Sequence, residues 1–118
     1  MTVSWKESNG KKYLYCDISN SVPEQSSPLV DELIILLSSS SDQLLFLANI
    51  ENAVISPEFM KKAKLNGKLF QDKIKKSAVV GVKGLKKMLM NSYIAFTGSK
   101  FKLFDSEEEA LKYLTSDI

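Results

Sequence analysis

Two glycines three apart, Gly81 and Gly84, run into a lysine pair, Lys86 and Lys87, in the stretch SAVVGVKGLKKM. Glycine lets backbone N–H groups approach an anion and lysine adds charge, so such a stretch raises the question of phosphate binding. The spacing answers against it. A P-loop needs two glycines five apart and then Lys-Ser or Lys-Thr. Here Met88 follows the lysines, so no hydroxyl is available for magnesium. A dinucleotide fingerprint fails too, for want of a third glycine and a prompt acidic residue after the next strand. The G-x-x-G clamp of K-homology RNA-binding domains fits locally. That clamp joins two helices, however, and an apolar strand pattern leads directly into this one. The remaining reading is structural: Gly81 lets a strand pass close to packed neighbours, and Gly84 turns the chain into a helix.

Other chemistry is limited by what is missing. The chain has no histidine, and all sixteen of its basic residues are lysines. Ser-His-Asp and Cys-His catalysis and most zinc sites are therefore excluded. So is the bidentate arginine grip on phosphate or carboxylate. Cys16 is the sole cysteine, so no internal disulfide forms. In a strand it reads as a small core residue. Trp5, Tyr13 and Tyr15 read as hairpin packing, and Glu107, Glu108 and Glu109 as the acidic first turn of a helix. No catalytic residue, cofactor or metal is expected.

Charge is unevenly placed. Residues 61–102 carry twelve lysines and one acid, while the segments before and after carry −5 and −4. Such asymmetry suits either solvated helix faces or a polyanion-binding surface.

The elements that must position these residues follow from pattern. VSWKE and KKYLYCDIS alternate around Asn9-Gly10, which supplies the positive φ of a tight hairpin. Leu14, Cys16 and Ile18 share one face; Tyr13, Tyr15 and Asp17 share the other, which is expected to be less buried. The hairpin is expected near a sheet edge. Ser27-Pro28 and Ser56-Pro57 each read as an N-cap with proline first in the helix. The first of these helices is apolar over more than one stripe, and the serine run at its end reads as a connector. The second carries Phe59, Ala63, Phe70 and Ile74 inward, with Gly67 weakening its middle. QLLFLANI and SAVVGV are apolar runs of strand length, suited to parallel strands covered on both faces. A third helix places Leu85, Met88, Leu89, Ser92 and Phe96 on one stripe and ends at Gly98. KFKLF is a short last strand. Ser106 and Glu109 form the capping box of a final helix, whose Ala110, Leu111 and Leu114 face inward.

The order is a hairpin followed by alternating helices and strands, which gives an α/β fold with a mostly parallel sheet and right-handed crossovers. At 118 residues it reads as one domain. No run is long and apolar enough for a membrane helix. The start MTVSWKESNG lacks the pattern of a signal peptide, so a cytoplasmic location is expected.

The stretch KSAVVGVKGLKKMLMNSYIAFTGSKFKLFDSEEEALKYL resembles the C-terminal half of small bacterial STAS-like domains, the SpoIIAA-like fold of the anti-sigma-factor antagonists. It is most similar to an uncharacterised branch, in which an Ala-Val-Val-Gly strand, a Gly-Leu-Lys-Lys helix start and a Phe-Asp-x-x-Glu-Glu-Ala ending recur. WKESNGKKYLYCDIS is similar to that branch's first hairpin. The resemblance implies an N-terminal hairpin and a four-turn right-handed β-α superhelix over residues 1–118. It implies a regulatory, protein-binding role and no enzyme. The antagonists carry a phosphorylatable serine in an Asp-Ser-Ser-Gly motif. Ser56, in NAVISPEF, falls near that place, but the aspartate, second serine and glycine are absent, and an N-cap explains it.

The expected partner is another protein. The alternative is weak, sequence-independent contact with nucleic acid or anionic lipid. Either would use one surface, formed if the two lysine-bearing helices pack side by side: Lys61, Lys62, Lys64, Lys68, Lys86 and Lys87. The acidic last helix is expected beside it. A homodimer is compatible with the sequence.

Overall fold

The structure, a computed structural model, describes residues 2–39, 43–84, 86–98 and 101–116. Strands β1 (Thr2–Ser8) and β2 (Lys11–Asp17) form the hairpin, with Ser8 opposite Lys11. Asn9 and Gly10 take φ of 51° and 74°, the left-handed pair that a two-residue hairpin turn requires. Helix α1 (Pro23–Ser38), β3 (Leu44–Asn49), α2 (Pro57–Phe70), β4 (Ile74–Val80), α3 (Lys86–Thr97), β5 (Lys102–Phe104) and α4 (Glu107–Thr115) follow. The sheet order is β1-β2-β3-β4-β5, antiparallel at the hairpin and parallel from β2 onward. β1 is an edge strand, as expected.

Successive strands that are also neighbours put α1, α2 and α3 on one face, where Val30, Phe59, Met60 and Met90 pack on Cys16 and Val79. The last helix, α4, covers the opposite face. Ala110 and Leu114 pack there on Tyr13, Tyr15, Leu47, Ala78 and Val80. Two expectations are corrected by this placement. The tyrosine face of β2 is as buried as the other, with Tyr13 and Tyr15 both at 6% exposure. The acidic helix lies across the sheet from the lysine-bearing helices, not beside them.

Ser56 caps α2, its Oγ accepting from Phe59 N–H at 3.1 Å. Ser106 caps α4, accepting from Glu109 N–H at 3.2 Å. Ser27 is no cap. Helix α1 begins a turn earlier with Pro23, and Gln25 Oε1 accepts from the Val22 N–H at 3.1 Å. The earlier turn buries Ser26 completely, on the same side as Val30, and leaves Pro28 inside the helix, where it can donate no backbone bond.

Helix α2 continues through Gly67, then ends in a short 3-10 turn, Gln71–Lys73. Ile74 is therefore not a helical core residue. It opens β4 and pairs with Leu44. The inward stripe of α3 is also displaced: Leu89, Met90, Tyr93 and Ile94 face the core, while Met88 and Phe96 face out. Gly98 ends α3 at φ 73°, its N–H donating to Ile94 O. Leu85, Ser40, Ser41 and Lys100, each assigned a place from the pattern, lie outside the described residues.

Candidate functional site

Gly81 has φ 91°, and a Cβ there would lie 2.5 Å from the Cα of Glu51. The approach that glycine permits is thus filled by the protein's own backbone. Gly84 turns the chain at φ 60°, and Lys86 Nζ reaches back to Ile50 O at 3.4 Å. The two glycines join β4 to α3 and form no phosphate cradle of their own.

Helices α2 and α3 pack side by side, as the lysine reading requires. They are in close contact at Gly67, where an added Cβ would stand 2.1 Å from the Tyr93 hydroxyl. The six candidate lysines divide by role. Lys62 Nζ pairs with Asp31 of α1 at 2.5 Å and also reaches Ser27 O. Lys64 Nζ donates to Ser92 Oγ of α3 at 2.6 Å. Lys68 lies over the Phe96 ring, 5.2 Å from its centroid. Together with Lys86, these side chains tie helix to helix or helix to loop. Lys61 and Lys87 have no such partner among the described residues, and both are exposed. Ser56 is committed to its cap beside them.

The sequence pattern missed the apolar part of this face. Leu65 and Leu69 project from successive turns of α2, Met88 and Phe96 from α3; Leu69 is 74% and Met88 69% exposed. A groove between the helices is walled by Leu65, Leu89 and Phe96 and rimmed by Lys61 and Lys64, with Ser56 and Pro57 at its head. Contiguous apolar surface within a charged rim is the usual mark of a docking site.

On the other face, Glu107 Oε2 accepts from Tyr15 Oη at 2.5 Å and from Asn49 Nδ2 at 2.8 Å. Burial, reinforced by this carboxylate, holds the Tyr15 hydroxyl protonated far above the usual tyrosine range. Lys6 lies over the Tyr15 ring at 4.3 Å. The cluster locks the start of α4 onto β2 and β3. The sequence shows Glu107 only as one of three acidic residues in the first turn of a helix, because its partners come from distant strands.

A further feature had no sequence signal. Between the sheet and α1, α2 and α3 lies an apolar cavity of about 160 Å³. Its floor crosses three strands at Cys16, Ala48 and Val79, which are register partners. Burial among these groups pushes the Cys16 thiol up to about 12.

This order of elements defines a SpoIIAA-like α/β fold. The chain is similar to the crystal structure of an uncharacterized protein of the DUF3478 family with a SpoIIAA-like fold, from Shewanella loihica PV-4. The TM-score is 0.70 with 19% identity, over 96% of this chain and 92% of that one. No family model matches the sequence, and no curated protein does. Among the described residues, no helix is long and apolar enough to cross a membrane.

Proposed function

We propose that the chain is a non-catalytic interaction domain that docks a protein partner on its α2/α3 face. The observation that carries this reading is the exposure of Leu65, Leu69, Met88 and Phe96 on α2 and α3, with Leu65 and Phe96 in the groove that Lys61 and Lys64 also line. Apolar surface supplies affinity on desolvation, and the lysines select an acidic partner and speed its approach. The SpoIIAA-like fold supports a regulatory role, and the chemistry read from the sequence requires no cofactor. The test is photo-crosslinking from position 69 in the native host, with Leu69 replaced by a photoreactive residue. A discrete adduct that disappears when Met88→Asp is added, in a variant of unchanged melting temperature, supports the reading. Adducts indifferent to Met88→Asp overturn it.

A second reading rests on Lys61 and Lys87, whose charges no partner engages among the described residues. It is weak contact with nucleic acid or anionic lipid. Binding to unrelated DNA and to anionic vesicles that collapses between low and moderate salt supports it, because each neutralised phosphate releases counterions. No binding at low salt removes it.

A further inference from the structure

We infer that the cavity beneath α1 and α2 is a binding site for one small, uncharged, apolar molecule, about the size of a substituted benzene ring. Volume sets the size: an apolar cavity of about 150 Å³ excludes water and takes benzene, and this one measures about 160 Å³. Lining sets the chemistry. No charged side chain contributes, and Asn66, Gln71 and Ser77 are among the few polar groups in walls that are otherwise apolar. An anion or cation would enter without a counter-charge, at a large desolvation cost.

The cavity is held open by construction. Helix α1 is fastened at both ends by lysines from the α2 segment. Lys62 ties its first half through Asp31 and Ser27 O. Lys73 caps its last turn, donating to Leu37 O at 3.1 Å and Ser38 O at 3.3 Å. Two of the lining residues are small, Ala48 on β3 and Ala63 on α2, and they leave space in the wall that larger side chains would fill. Leu33 and Ile34 on α1 and Ala63 and Asn66 on α2 are only half-buried, which gives a small molecule a way in from solvent. A ligand there would restore the packing that the small residues leave out.

The probe is benzene, titrated into the full chain and followed by methyl NMR, with benzoate as the charged counterpart. Saturable shifts at Val30, Leu33 and Leu37, with Leu69 and Met88 unmoved and benzoate inert, are expected. Ala63→Leu fills the cavity; it should abolish the benzene response and raise the melting temperature by several degrees. Should that variant fail to fold, Ala48→Val takes its place with the same expectation. Three results overturn the site: no saturable response in the unmodified chain, shifts as large at Leu69 and Met88, or an undiminished response in the filled variant. Benzoate binding as well as benzene overturns the ligand class.

Discussion

The hydroxyl of Tyr93 occupies the space that a side chain on Gly67 would need. An added Cβ would lie 2.1 Å from that oxygen, 2.8 Å from Cζ and 3.2 Å from Thr97 Cγ2. Glycine in mid-helix ordinarily costs about 1 kcal/mol against alanine. Here it is what lets α2 lie against α3. Gly67→Ala should therefore destabilise, by about 1–3 kcal/mol as an overpacked contact does, despite the better helix former. In a Tyr93→Leu background the same change should cost less or become favourable. Chemical denaturation of the four chains checks this. A stabilised single variant would mean that the helices do not meet at this point.

Lys76 is the counterpart on the opposite face. From β4 its Nζ donates to Tyr113 O at 3.2 Å and Ser116 O at 2.9 Å, at the negative end of α4. Lys76→Met should cost about 1–2 kcal/mol and speed amide exchange in the last turn of α4 first. The neighbouring, exposed Lys75→Met should stay within about 0.5 kcal/mol. Equal effects from the two would leave Lys76 without its capping role.

The same local pattern, Ser-Pro, occurs at Ser27 and at Ser56, and only the second caps a helix. Ser56→Ala should cost about 1 kcal/mol, and Ser27→Ala less than half of that. Thermal unfolding of the two variants decides it, and a larger loss at Ser27 would move the start of α1.

This pair of serines shows what was legible in the sequence and what was not. Hairpin turn, strand runs, the caps at Ser56 and Ser106 and the Gly98 terminus are short-range matters, set by residues within a turn of each other, and they read correctly. Helix α1 starts early enough to bury Ser26 completely, a tertiary outcome that the local pattern does not contain. The side of the sheet taken by α4 is likewise a long-range choice, and it decided the burial of Tyr13 and Tyr15. Of the candidate surface, the sequence showed the lysines but not their partners. Asp31, Ser92 and Phe96 sit on other helices. The apolar component was hidden because Met88 and Phe96 were assigned to the core, on a stripe that the structure rotates outward. The cavity is what three helices and a sheet fail to fill, so no single stretch announces it.

Burial also predicts an alkaline limit to stability. Cys16, Tyr13, Tyr15 and Tyr93 all hold their protons more tightly folded than free, chiefly because burial disfavours their anions. Their contribution is complete below the free values, 9.0 for the thiol and 10.0 for the phenols, and declines above them as the unfolded chain ionises first. Stability should be insensitive to these groups at pH 8, fall from about pH 9 as the thiol engages, and fall more steeply above about pH 10. Cys16→Ala should delay the onset to the tyrosine range, whatever its effect at neutral pH. Denaturant melts across pH 7–11 read this directly, and an onset unmoved by Cys16→Ala would place the thiol in contact with solvent.

The division among the lysines gives the sharpest separation of structure from function. Lys62 holds α1 to α2 through Asp31, in a pair whose side chains are 34% and 64% exposed, so it is a partly solvated tie. Lys62→Met should lower stability by up to about 1 kcal/mol, and Asp31→Asn should lose much of the same energy without adding to it. Lys61 and Lys87 tie nothing among the described residues. Lys61→Glu with Lys87→Glu should leave unfolding within about 1 kcal/mol of the unmodified chain. The same pair should slow association with an acidic partner, or weaken polyanion binding, more at low salt than at moderate salt. Partner association rates and vesicle binding, each measured at two ionic strengths beside a denaturation curve, separate the cases. A double variant that unfolds readily would make these lysines structural, and one that binds as before would take the surface away from them.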